Sequence, residues 1–231
     1  LYTVPILHSE AEILSEARKK FAKIPEERKK SYLDFVSSYW DKIEAEISKY
    51  EIHRVYLDGY PGGSWDYLTL HAKQGSRVSK TVLDFLSKYA VLEQTEEIPL
   101  VSLMHSSYTK LESLKKITLK DVDRQFIPVL LSRDLFIRRN IRKTLKDEEK
   151  GMYFYGLAHF YLDYGDIKVI EVYPREKLKQ ELLKLDTWGR IIIDQIERQE
   201  KILDVLIGES IFAFLEDYVE HPEKYGYDYS I

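Results

Sequence analysis

Apolar residues recur along this chain in two rhythms. Short unbroken or alternating runs read as strands: Tyr2 to Leu7, with Pro5 marking an edge or a bulge, then Val55 to Leu57, Ala90 to Leu92, Met152 to Leu157 and the alternating Ile167 to Val172. Between them the spacing changes to three and four residues, the signature of amphipathic helices. Ile13, Leu14, Ala17 and Phe21 form one such stripe behind a Ser9 cap. Tyr32, Leu33, Val36, Tyr39, Trp40, Ile43 and Ile47 form a longer one, from Glu26 to Tyr50, which Pro25 opens. Further helices are expected over 65–73, 79–89 and roughly 99–116, and Thr118 caps another turn. Pro128 is expected to kink or break the chain before a helix in which Ile137, Ile141 and Leu145 lie four apart. After Pro174 a last helical stripe runs from Leu178 to Leu215.

Strands alternating with helices, and a Met152–Leu157 run apolar enough to be covered on both faces, predict an α/β fold. The expected sheet is small and mostly parallel, with four or five strands flanked by many helices. Residues 1–173 would form the core, and 174–231 a helical C-terminal segment serving as a lid or a dimer arm.

Composition narrows the function. With 35 basic and 39 acidic residues, the net charge of -4 gives no reason to expect nucleic acid or an anionic membrane as partner. The chain has no cysteine, which excludes disulfides and thiolate metal sites. Its charge-rich composition fits a heat-adapted protein. No apolar window is long enough to span a bilayer, and Leu1 to His8 lack the regions of a secretory signal, so a cytoplasmic protein is expected. Phosphate-loop, dinucleotide, His-Glu-x-x-His and nucleophile-elbow spacings are all missing.

The remaining chemistry sits where predicted strands end: His8, Asp58, Glu96 or Glu97, and His159. Parallel strands deliver their carboxyl ends to one edge, where open α/β sheets bind ligands. Two imidazoles and a carboxylate there could hold a divalent metal such as Mn or Zn through His8, Asp58 and His159. The same residues could instead activate water without metal. Arg133, at the start of the helix before the Met152 strand, would clamp an anionic group or steady an oxyanion. Each residue also has a plainer reading. A histidine after a strand is commonly structural, Asp58-Gly59 makes a turn, and Thr95-Glu96-Glu97 can start a helix. Arg133-Asp134 can be a local ion pair, and Arg138 to Lys143 a solvated face. His53, His71, His105 and His221 carry no pattern.

The stretch from Arg133-Asp134-x-Phe136-Ile137-x-x-Asn140-Ile141 to Gly156-Leu157-Ala158-His159 resembles the second half of the TraB/TIKI-like group, the GxxH superfamily. The group is related more distantly to ChaN-like and erythromycin-esterase-like proteins. Its first half is matched more loosely. His8 follows Pro5 where the group carries glycine, and Asp58 stands where glutamate is more usual. The resemblance implies an α/β fold and hydrolytic chemistry, with metal-dependent peptidase-like, esterase-like and haem-binding members. It makes His8, Arg133 and His159 the catalytic candidates, with Glu96 and Asn140 supporting them from behind. The substrate would be a small molecule or peptide. The aromatic content and the long C-terminal stripe leave a non-catalytic binding protein open as the alternative, dimeric through its C-terminal helices.

Overall fold

A computed structural model describes residues 1–7, 21–96, 119–157, 159, 163–185, 189–190, 193–194, 197, 213 and 217, with the backbone alone for 119–128. Among these residues the order is β1 (Tyr2–Ile6), α1 (Glu26–Ile47), β2 (Arg54–Leu57), α2 (Asp66–Lys73), α3 (Arg77–Ser87), β3 (Val91–Glu93), α4 (Leu119–Thr144), β4 (Gly151–Gly156), β5 (Ile170–Glu171) and α5 (Arg175–Leu183). The five strands form one sheet in the order β3-β2-β4-β1-β5, and every pairing is parallel. The α/β class and the small parallel sheet follow the apolar pattern of the sequence.

Each strand sends alternate side chains to opposite faces. Val4, Ile6, Val55, Leu57, Met152 and Phe154 meet the apolar stripes of α1, α3 and α5. On the other face, Tyr56, Tyr153 and Tyr155 meet Ile137 and Ile141 of α4. β4 is thus covered on both sides and buried along its whole length. Two side-chain bonds from α1 fasten the end of β1: Tyr39 Oη donates to the Pro5 carbonyl, and Trp40 Nε1 to the Leu7 carbonyl at 2.9 Å.

The connections explain why α4 lies alone on its face among the described helices. The chain moves from β1 to β2 to β3 toward one edge, then returns past β2 to place β4 in the centre. Right-handed crossovers running in opposite directions lay their helices on opposite faces. Beside β4 the winding reverses, and the carboxyl ends of the strands there border a crevice.

Three details depart from the sequence pattern. Pro128 does not break the chain, because α4 runs through it. All ten residues from Val129 to Arg138 are buried, six of them large and apolar. At about 1.5–3 kcal/mol each, their burial outweighs the roughly 3 kcal/mol cost of an interior proline. For the same reason Arg138 belongs to the interior and not to a solvated face, while Arg142 and Lys143 are exposed. The fifth strand is only two residues long, since pairing with β1 is confined to Ile170 and Glu171. The helices expected near Glu10 and over 99–116 fall outside the described residues, as does most of the stripe after Leu185. Among the described residues, no helix is long and apolar enough to cross a membrane.

Candidate functional site

Asp58 follows the last residue of β2, and its N–H extends the ladder by donating to the Phe154 carbonyl at 2.9 Å. The chain then reverses at Gly59, whose φ of 85° lies in the left-handed region that glycine adopts freely. This reversal is tied to the segment after β3. Thr95 and Glu96 both donate their N–H groups to the Tyr60 carbonyl at 2.9 Å, and the Thr95 hydroxyl reaches the Leu57 carbonyl. Two strand ends are thereby clamped together, with Asp58 on one and Glu96 on the other.

β4 ends beside them at Gly156. A turn closed by the His159 N–H on the Gly156 carbonyl, at 3.0 Å, brings the imidazole back over the strand end. The Gly-x-x-His spacing is the length of that turn. Gly156 is needed for room, not for backbone freedom. A Cβ placed there would lie 2.9 Å from Asp58 Oδ2 and 3.4 Å from His159 Cδ2. Only glycine lets the carboxylate and the ring meet across this position.

The helix α4 supplies the remaining charges. Arg133 Nε donates to Glu96 Oε2 at 2.9 Å, and Nη2 donates to Glu96 Oε1 and, at 3.2 Å, to Asp58 Oδ1. Asp58 Oδ2 faces His159 Nε2 at 2.9 Å and accepts the Gly156 N–H at 3.2 Å. The other ring nitrogen, Nδ1, is bonded to Asp134 Oδ1. The result is one continuous chain, Glu96–Arg133–Asp58–His159–Asp134. Four members are buried, and the Asp58 side chain, 19% exposed, is the one solvent reaches.

Such groups are costly to bury unless paired. Burial alone would lower the His159 pKa. The carboxylates of Asp134 and Asp58 outweigh it and hold the ring well above the usual histidine range, as an imidazolium. Burial likewise opposes ionisation of Asp58, but His159, Arg133 and the Gly156 N–H hold its carboxyl below the usual range. Glu96 is displaced the other way. Its burial, aided by the Asp58 charge, raises it against the pull of Arg133.

Among the described residues, the Tyr67 hydroxyl is buried without a hydrogen-bond partner. Its ring stacks on Tyr60, two residues beyond Asp58, with centroids 6.1 Å apart. Burial, then the Tyr60 and Asp58 charges, raise the Tyr67 pKa. Leaving a hydroxyl unpaired in this way costs about 1–3 kcal/mol.

Of the residues singled out by sequence, Asp58, Glu96, Arg133 and His159 come together. His8 lies outside the described residues. Asn140 stands apart from the charges: its Nδ2 donates to the Gln94 carbonyl at 3.0 Å, steadying the segment that leads to Glu96. Asp134, which the sequence offers only as a local partner for Arg133, holds Nδ1 of His159. A signal for it was present. Ser132-Arg133-Asp134 is a polar triplet inside an otherwise apolar helical run, and such a triplet needs buried partners.

The metal expectation joins His8, which lies outside the described residues, to Asp58 and His159, which face each other at 2.9 Å. Both ring nitrogens of His159 are bonded to carboxylates, and Asp58 already faces two cations. Among the described residues, no group of three or more His, Asp or Glu is placed to hold a metal ion.

No family model, curated protein or solved structure matches the chain.

Proposed function

We propose that the protein is a hydrolase that works without metal, with Asp58 and His159 exchanging protons at the carboxyl edge of the sheet. The observation that carries this reading is the Asp58 Oδ2–His159 Nε2 contact of 2.9 Å, with Asp134 behind the ring. Asp58, the outermost member, orients a water. As that water attacks a carbonyl, Asp58 takes its proton, and the His159 imidazolium gives the Nε2 proton to the leaving oxygen or nitrogen. The two transfers assist each other. Once His159 is neutral, the charge that holds Asp58 acidic is gone and the carboxylate becomes a stronger base. The proton on Asp58 then returns to Nε2, restoring both groups. Arg133 keeps Asp58 in place from the other side. The linking of Arg133 to the Gly-x-x-His turn through Asp58 also supports the resemblance to the TraB/TIKI-like group.

The test is a screen of naphthyl and nitrophenyl esters, lactones and peptide amides, followed by His159→Gln on any substrate found. Loss of a catalytic acid–base group is expected to lower kcat by roughly 10²–10⁴. Unchanged turnover by a folded His159→Gln protein would sink the proposal.

A specific observation favours a second reading, a non-catalytic binding protein. Both His159 nitrogens and both Asp58 oxygens are satisfied within the protein itself, as in a purely structural ion network. No turnover of any class, together with a lower melting temperature for every substitution in the network, would establish it. Light scattering with and without residues 174–231 would then test a dimer formed by the C-terminal segment.

A further inference from the structure

Asp58 is carried by a reversal of four residues, Leu57 to Tyr60. The reversal closes with the Tyr60 N–H on the Leu57 carbonyl at 3.1 Å, which makes it a β-turn with Asp58 and Gly59 at its centre. The Thr95 hydroxyl sits on that closing bond. It donates to the Leu57 carbonyl and accepts the Tyr60 N–H at 3.2 Å, so it touches the turn on either side of Asp58. Glu96, the next residue, grips the middle of the turn: the Gly59 N–H donates to its Oε1 at 3.3 Å. Both Thr95 and Glu96 are fully buried. The proton exchange between Asp58 and His159 uses neither of them directly. A buried hydroxyl needs a partner in any protein. Here its partners are the backbone groups that flank the one charged residue open to solvent.

We propose that Thr95 is a positioning residue, whose hydroxyl sets the direction in which the turn presents Asp58 and so keeps Oδ2 at His159 Nε2 while Oδ1 stays at Arg133. The inference rests on the hydrolytic reading of the Asp58–His159 pair, and adds to it a residue that touches no reacting atom. The need for such a clamp is local. Gly59, beside Asp58, has more backbone freedom than any other residue type, so the turn alone aims the carboxylate poorly. Proton exchange depends on that aim, because a displacement of about 1 Å in a reacting group can cost 10²-fold in rate. The clamp is also separable from the fold. The Thr95 and Glu96 N–H groups, both on the Tyr60 carbonyl at 2.9 Å, join the two strand ends whether or not the hydroxyl is present.

The test is proton NMR of the full chain with nitrogen-15 in its histidine rings. Wild-type His159 is expected to show two downfield N–H signals, Nε2–H on Asp58 and Nδ1–H on Asp134, both absent from His159→Gln. In Thr95→Ala the Nε2–H signal is expected to move upfield and to exchange with water roughly tenfold faster, while Nδ1–H, held from α4, stays in place. Thr95→Ser keeps the hydroxyl and should restore the wild-type signal. An Nε2–H signal unchanged in folded Thr95→Ala, or both signals altered alike, would overturn the proposal. If Thr95→Ala does not fold, Thr95→Val, which keeps the shape, takes its place. Failure of both to fold would make the hydroxyl purely structural and overturn the proposal too. Turnover of 2-naphthyl acetate separates the clamp from the reading beneath it. In Thr95→Ala kcat is expected to fall by roughly 10–10² with KM unchanged. Wild-type cleavage that Thr95→Ala matches in kcat sinks the positioning role alone. A selective change at Nε2–H in a protein that cleaves no ester sinks the hydrolase and leaves Thr95 as the residue that aims Asp58.

Discussion

Nε2 of His159 stands 2.9 Å from Oδ2 of Asp58, across a gap that exists because Gly156 has no side chain. Gly156→Ala would put a carbon 2.9 Å from that carboxylate oxygen, closer than side-chain carbons come to such atoms. The substitution is expected to destabilise the protein by about 1–3 kcal/mol in urea unfolding. In an Asp58→Ala background the clashing atom is gone, and the penalty should shrink. Equal penalties in both backgrounds would show that the cost arises elsewhere.

The pairing of His159 fixes the sign of one pH dependence. Its folded pKa lies well above the unfolded value of about 6.5, so the stability it contributes is complete below that pH and declines as pH rises toward the folded value. Asp58 acts in the opposite direction. Its contribution is present above about pH 3.9 and is lost as pH falls toward a lower folded value. Urea unfolding across pH should show both limbs. His159→Gln should flatten the alkaline one, and an unaltered alkaline limb would contradict the imidazolium assignment.

Asp134 is expected to matter as much as the residues nearer solvent. Asp134→Asn removes the carboxylate at Nδ1 and leaves an imidazolium with one counter-ion in the interior. Breaking a buried pair in this way costs on the order of 3–5 kcal/mol. In the intact protein at neutral pH, nitrogen NMR should find both ring nitrogens of His159 protonated. A neutral ring in the wild-type spectrum would count against the charge chain.

Arg133 bridges two carboxylates with one planar group, a task an ammonium cannot copy. Arg133→Lys is expected to lower stability by about 3 kcal/mol, close to the cost of breaking the buried pair outright. Glu96→Gln should be milder, since that carboxyl is already raised toward its neutral form. Thermal melts of the two variants side by side would check the order.

The strands were legible because burial on both faces leaves an unbroken apolar run such as Met152 to Leu157. The convergence of Asp58, Glu96 and His159 was legible for a related reason: parallel strands bring their ends to one edge whatever the residues there are. The partners of those residues were not. Whether Asp134 serves Arg133 or His159 depends on the rotation of α4 against the sheet, which no local pattern encodes. Pro128 misled for the opposite reason. Its local effect is strong, and the burial that overrides it comes from elements distant in sequence. Asn140 shares a motif with Arg133, yet two further turns of helix carry it away to Gln94.

Adjacent helical residues point about 100° apart, and α4 uses that angle. Arg133 takes Glu96 and Asp58, its neighbour Asp134 takes His159, and Ile137 and Ile141 seat on the tyrosines of the sheet. One residue gained or lost between Val129 and Ile141 would rotate one group of these contacts against the other and break both. The turn over 145–150, outside the helix, carries no such phase. Length variation in relatives of this protein should therefore gather in that turn and spare the helix before it.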